Sequence, residues 1–179
     1  DGRGRTYQVL DSLGGDSDKY QASGFVVFNK SGQQIKSYQP YQRDISEKCD
    51  PSEPTHEHTE MKYDGLGRLV RVGRPDGTFT SVDFRPFERW SYDANQHDSE
   101  GRLVGDAVAT IRWTDGLGRP VAIVRPGANT AGTQAPSSDD SRYVEFTYDE
   151  LGRMADFTDA KGNKKTQQYD VFGRVLKVN

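Results

Sequence analysis

The side chains best suited to chemistry are concentrated in one polar segment, residues 42–60. It holds thiol, imidazole and carboxylate groups, which are the ligands that zinc binds in proteins. They belong to Cys49, Asp50, Glu53, His56, Glu57, His58 and Glu60. On a strand, His56 and His58 would share a face, but they lack the spacing of the helical His-Glu-x-x-His motif, and Pro51 and Pro54 oppose a helix. We interpret the segment as a solvated loop and expect no metal and no cofactor.

Aspartates are the second candidate, because glycoside hydrolysis uses two carboxylates about 5 to 10 Å apart. Here they recur in Asp-x-x-Gly sequences, where hydrogen bonding to the backbone of a turn explains them. Trp90 and Trp113 suit packing between hairpins better than a sugar platform. We therefore expect no catalytic residues and a protein that is not an enzyme.

The aspartates belong to an internal repeat, whose pattern is Asp or Asn, two variable residues, Gly and usually Arg. An aromatic residue or histidine usually precedes the acid. The copies are Asp1-Gly4-Arg5, Asn29-Gly32-Gln33, Asp64-Gly67-Arg68, Asp98-Gly101-Arg102, Asp115-Gly118-Arg119, Asp149-Gly152-Arg153 and Asp170-Gly173-Arg174, and the preceding residues include Phe28, Tyr63, His97, Tyr148 and Tyr169.

The residues after each glycine predict strands. The third position is apolar in every copy and the fourth is mostly polar or small, and this period of two is typical of a half-buried strand. An aspartate starts a turn by accepting a backbone hydrogen bond, and glycine then reaches the positive φ that reverses the chain. The arginine can bond a neighbouring aspartate or stack on a tyrosine. Further turns are expected at Asp11, Asp76 and Asp159, one strand later. The predicted fold is all-β, with repeated antiparallel hairpins forming a twisted ribbon.

Two polar segments interrupt this pattern. Residues 42–60 are polar, and residues 126–142 are rich in Pro, Gly, Ser and Asp, so both are interpreted as loop insertions. The predicted organisation is therefore repeat hairpins over 1–41, 61–125 and 143–179, separated by these two loops.

Composition excludes several functional classes. The net charge is −3 with both signs mixed, which argues against a nucleic-acid partner. Cys49 is the single cysteine, so no disulfide framework is expected within the chain. No apolar run approaches the roughly 18 residues that a membrane span requires.

The Tyr-Asp-x-x-Gly-Arg units at 63–68, 148–153 and 169–174 resemble the YD repeats of RHS proteins, teneurins and the B component of bacterial insecticidal toxin complexes. The phrases at 25–32 and 37–41, and those at 74–78 and 87–95, are similar to segments of toxin B components and SpvB-associated proteins that lead into the repeats. The resemblance implies a ribbon that spirals into a larger hollow β-shell around a C-terminal cargo. The repeat spacing here is stretched, and the family's self-cleaving aspartyl motif is missing from this sequence.

We therefore expect a structural shell segment of a secreted bacterial protein that encloses or presents a C-terminal effector. Its expected partners are adjoining repeats of its own parent chain, an enclosed effector and toxin-complex subunits, with no nucleic acid and no membrane span. The alternative is an extracellular module that binds glycans or a receptor through exposed aromatic residues and arginines. Both ends of the sequence carry apolar strand patterns without polar caps. We therefore expect the isolated chain to self-associate, or to be ordered only together with adjoining parts of its parent protein.

Overall fold

The computed structural model describes residues 8–14, 19–44, 52–105, 107–126 and 141–179. Short strands and tight turns dominate these residues, accompanied by a short 3-10 helix at Ala94–Gln96. The strands pair antiparallel, so the predicted all-β class of repeated hairpins is confirmed. The chain divides into two compact units, residues 1–79 and 80–179, which are described separately.

The first unit contains two sheets. Strands β1, β2 and β5 form one sheet in that order, and strands β3, β4, β6 and β7 follow one another in the other. Their bounds are β1 Val9–Ser12, β2 Lys19–Ser23, β3 Val26–Phe28, β4 Gln34–Tyr38, β5 Tyr41–Asp44, β6 His58–Tyr63 and β7 Leu69–Gly73.

A small aromatic core holds the two sheets of the first unit together. Ala22 from β2 and Tyr41 from β5 pack with Phe25 and with Tyr38 from β4. The rings of Phe25 and Tyr38 meet edge to face with centroids 5.5 Å apart, a favoured geometry for aromatic pairs. Aromatic area thus supplies the burial that the scarce aliphatic residues do not.

The second unit is a meander in which each strand pairs with the next one in sequence. Cross-strand register places neighbouring apolar residues together on one face, as with Phe146 and Phe157. Its strands are β8 Phe79–Arg85, β9 Glu88–Tyr92, β10 Thr110–Thr114, β11 Pro120–Pro126, β12 Ser141–Tyr148, β13 Met154–Thr158, β14 Lys164–Tyr169 and β15 Val175–Val178.

The most buried part of the second unit lies where β9, β10 and β11 meet. Ile111 and Val124 are direct cross-strand partners and each is 1% exposed. Trp90, from β9, and Ala109, from the connection before β10, pack in the same cluster as Ile111. These residues anchor one end of the meander, whereas β15 is exposed along its whole length.

The strands extend into both segments that we interpreted as loops. β5 continues to Asp44 and β6 begins at His58, so both ends of 42–60 are strand. Burial alternates along β5, where Tyr41 and Arg43 are buried while Gln42 and Asp44 are exposed. β11 reaches Pro126 and β12 begins at Ser141.

The expected hairpin at Asp98 does not form between two strands. Its flanking residues make only the isolated bridge between His97 and Leu103. The 3-10 helix takes the place of an incoming strand, and the carbonyl of Gln96 accepts the N–H of Val104. The turn motif alone therefore does not create a hairpin when no strand precedes it.

Candidate functional site

The turn at Asp149 shows how the repeat builds its geometry. The N–H of Gly152 donates to the Asp149 carbonyl at 2.9 Å, and the N–H of Asp149 donates to the Arg153 carbonyl at 2.9 Å. This is a type I turn closed by a glycine in the left-handed region, a favoured three-residue hairpin loop. Asp149 Oδ1 accepts the N–H of Leu151 at 3.0 Å and of Arg153 at 2.9 Å. Its Oδ2 accepts Nε of Arg153 at 2.7 Å, so the repeat's aspartate and arginine form one closed unit.

The same arrangement recurs at Asp64, Asp115 and Asp170, where the Oδ2–Nε distances are 2.7, 2.7 and 2.6 Å. The φ angles of Gly67, Gly152 and Gly173 are 81°, 80° and 81°, as the Asp-x-x-Gly spacing predicts. The strand register shifts just before each of these aspartates, for example between Thr147 and Tyr148. Four repeat copies therefore share one backbone and side-chain geometry.

Adjacent turns are joined by the arginine of one copy and the tyrosine of the next. The guanidinium of Arg119 lies 4.3 Å from the ring centroid of Tyr148, and that of Arg153 lies 4.6 Å from the ring of Tyr169. The Tyr148 hydroxyl donates to the Pro120 carbonyl at 2.6 Å. The arginine thus makes both contacts that the sequence left open, one to its own aspartate and one to the next tyrosine. We call this series of linked turns the turn ladder.

The first unit carries a variant of the same link. Its turn between β3 and β4 begins with Asn29, whose Oδ1 accepts the N–H of Gln33 at 2.9 Å. Gln33 takes the arginine's place and donates through Nε2 to the Gly67 carbonyl at 2.8 Å. The Tyr63 hydroxyl donates to the Gln34 carbonyl at 2.8 Å, matching the tyrosine contact of the second unit. An amide side chain can therefore replace the guanidinium as the link between turns.

The remaining predicted turns differ. Asp11 does not start a turn, because it lies within β1 and pairs with Gln21 of β2. Asp98 accepts the backbone N–H of Arg102 at 2.9 Å, but the Arg102 guanidinium pairs with Glu100 instead. Asp159 forms the complete turn with Asn163 in the arginine position, at 2.8 Å. The Asp1-Gly4-Arg5 copy lies outside the described residues.

The turn carboxylates are held ionised. The pKa values of Asp64, Asp149 and Asp170 lie below the usual value for an aspartate. The main cause is the hydrogen bond that each carboxylate accepts from the backbone N–H of the arginine four residues later. The hydrogen bond from that arginine's guanidinium lowers the pKa further, whereas desolvation raises it. Both oxygens of each carboxylate are thereby engaged in the turn.

Acid should loosen the turn ladder. A carboxyl whose folded pKa is lowered contributes stability that is complete above its unfolded pKa of about 3.9 and is lost as pH falls through the folded value. We expect the free energy of unfolding to fall below that pH, measured by denaturant titration from neutral to strongly acidic solution. The triple variant Asp64→Asn, Asp149→Asn, Asp170→Asn should lose less stability over this range. An equal acid dependence in both proteins would contradict the assignment.

The polar segment of the first unit uses its histidines and carboxylate in packing. Glu53 accepts hydrogen bonds from Lys36 and from the Tyr38 hydroxyl. His58 stacks on Tyr38 with centroids 4.8 Å apart, and the His56 ring likewise stacks on a tyrosine of β5. Burial, followed by the Glu53 hydrogen bond, raises the pKa of Tyr38. No group of three or more metal-binding side chains occurs among the described residues; Cys49 and Asp50 lie outside them.

The Glu88 carboxylate lies between two tryptophans, an arrangement that the sequence did not predict. Glu88 Oε2 accepts the indole N–H of Trp90 at 2.7 Å, and its Oε1 accepts that of Trp113 at 2.9 Å. The Trp113 and Trp90 hydrogen bonds together hold the pKa of Glu88 below its usual value. The guanidinium of Arg85 covers the Trp90 ring at 4.0 Å. Glu88 and Trp90 are two residues apart on one strand, so the sequence alone indicates that they share a face. The contact with Trp113 depends on the pairing register of β9 and β10, which places Trp113 opposite Glu88.

The tips of the turns expose apolar side chains, a second feature that the sequence interpretation missed. The second residue after the aspartate is leucine or phenylalanine in four copies, and each of these side chains is 76–80% exposed. They are Leu66, Leu117, Leu151 and Phe172. The recurrence at one repeat position was readable from the sequence. We call these residues the tip residues.

Comparison with known proteins identifies the fold. No family model matches the chain, and no curated protein matches it. It is similar in structure to the TcdB2-TccC3 chain (TM-score 0.58, 18% identity) and to TcdB2-TccC3 without its hypervariable C-terminal region (0.60, 20%), covering 90% of this chain in each case. It is also similar to the Tc holotoxin pore of Photorhabdus luminescens (0.59, 19%, 89% covered). The chain spans 9% of each of those chains, so the likeness concerns this segment of β-structure.

No helix among the described residues has the length and apolarity needed to cross a membrane.

Proposed function

We propose that this chain is a segment of a β-shell in a secreted bacterial protein of the RHS or toxin-complex type, and that its role is architectural rather than catalytic. The fold shared with TcdB2-TccC3 chains supports the architecture. In this proposal the parent protein encloses or presents an effector, and the partners of the segment are further repeats, the effector and toxin-complex subunits.

The observation that carries the proposal is the turn ladder together with its exposed tip residues. The ladder satisfies the turn carboxylates and links successive hairpins, which suits a wall built by repetition. The tips, however, leave leucine and phenylalanine side chains in solvent at successive hairpins. In this proposal, the recurring tip residues belong to a surface that another surface covers. A neighbouring stretch of shell would supply that cover.

We expect the isolated chain to self-associate at micromolar concentration. The exposed tip residues can bury their apolar side chains against a second copy, and the exposed strand β15 can pair with another strand. Sedimentation velocity over a concentration series measures this. The triple variant Leu117→Ser, Leu151→Ser, Phe172→Ser should associate more weakly while its melting temperature changes little, since these side chains are exposed.

A control variant carries serine at the residues just before two of the tip residues, Gly116→Ser and Glu150→Ser. It should associate like the unmodified chain. A clean monomer at every concentration, with sharp and reversible two-state melting, would describe a self-sufficient domain and contradict the shell proposal.

A further inference from the structure

Two arginines face each other across β9 and β10 of the second unit. Arg89 and Arg112 are direct cross-strand partners, and both are exposed. Like charges in directly opposite positions destabilise an antiparallel pair. Their outer neighbours in the same row are apolar: Phe84 is opposite Arg89 on β8, and Ile123 is opposite Arg112 on β11. This row therefore carries two positive charges and no carboxylate.

The carboxylates nearby are engaged elsewhere. Asp83 pairs with Arg85 at 2.9 Å, and the Asp93 carboxylate is 3.3 Å from another arginine, on β11. Glu88 precedes Arg89 on the strand, so its side chain points to the opposite face, where it accepts the two indole N–H groups. Among the described residues no carboxylate pairs with Arg89 or Arg112.

The two arginines line an open cleft of about 270 Å³ in the second unit. Aromatic side chains stand beside them: Phe84 and Phe87, the latter from the turn between β8 and β9, also line the cleft. The Arg89 guanidinium lies 5.8 Å from the centroid of the Phe84 ring. Arg85 and Glu88 line the cleft as well, with the Glu88 carboxylate bonded to the two indole N–H groups. Phe87 has a φ of 61° and is 62% exposed. A positive φ is costly for a residue with a bulky side chain, and such strain is often found at binding sites. The N–H of Thr114 donates to the Phe87 carbonyl at 2.8 Å and holds this conformation.

We propose that this cleft binds an acidic residue of a partner polypeptide, with an adjacent apolar side chain of that partner against Phe84 and Phe87. Guanidinium groups match the planar geometry of a carboxylate, and a bound carboxylate would offset the repulsion between Arg89 and Arg112. Arginine and aromatic side chains are also the residues enriched where proteins bind proteins. This site is additional to the shell role and does not depend on it.

The probe is a fluorescent peptide of alternating glutamate and phenylalanine, titrated with the full 179-residue chain and followed by anisotropy. We expect saturable binding that weakens with salt, and a loss of about tenfold or more in affinity in the variant Arg89→Ala, Arg112→Ala. The peptide with glutamine in place of glutamate should bind equally weakly to both proteins. The control Arg74→Ala, Arg102→Ala removes the same net charge at exposed arginines that do not line the cleft, and it should bind like the unmodified chain.

Several results would overturn the proposal. They are no saturable binding of the glutamate peptide, equal binding by the Arg89→Ala, Arg112→Ala variant, or an equal loss in the control. Binding of a sulfated disaccharide with no binding of the peptide would assign the cleft to an acidic glycan instead. Because the substitutions remove a repulsion, the melting temperature of the cleft variant should be unchanged or higher, and a marked drop would show that the arginines are structural.

Discussion

Replacing Gly152 by valine is expected to destabilise the second unit by about 1–2 kcal/mol or more, measured by denaturant titration. The φ of Gly152 is 80°, a conformation that a β-branched side chain adopts only under strain. A Cβ atom there would lie 2.9 Å from Nη1 of Arg119. That guanidinium can shift, but in doing so it would leave the ring of Tyr148 and break one link of the turn ladder.

Two other glycines separate these causes. Gly118 has a φ of 78° and an added Cβ would meet nothing within 4 Å, so Gly118→Val should show the backbone strain alone. Gly116 lacks the positive φ and also has open space, so Gly116→Val should cost least. The expected order of destabilisation is Gly152, then Gly118, then Gly116. Equal stability of the Gly152 and Gly116 variants would contradict the turn assignment.

The turns were predictable because their chemistry is local. The hydrogen bonds of the closed turn at Asp149 all lie within five consecutive residues, 149–153. The aspartate, glycine and arginine of the repeat motif therefore specify it. The strands on either side follow from apolar alternation with a period of two. Asp98 shows the limit, since the same motif follows a 3-10 helix there and does not join two paired strands.

The links between turns were not predictable, because they join residues distant in sequence. Arg119 meets Tyr148 across 29 residues of sequence only because β11 and β12 pair in one register, on either side of a long connection. Trp113 reaches Glu88 by the register of β9 and β10 in the same way. A shift of one residue would place each partner on the opposite face.

The second large effect is expected at Ile111, where alanine should cost about 2–5 kcal/mol of unfolding free energy, because the change leaves a cavity in a packed site. Ile111 is 1% exposed and contacts Trp90 and Ala109, and its cross-strand partner Val124 is equally buried. Among the described residues of the second unit, the buried hydrophobic side chains are concentrated here, so little other buried packing can compensate. Ile111→Val should cost much less, about 0.5–1.5 kcal/mol.

The control Leu176→Ala, on the exposed strand β15, should change stability little, because its side chain is already 68% exposed. If Ile111→Ala and Leu176→Ala destabilise the protein equally, stability is spread evenly along the meander and Ile111 does not anchor it.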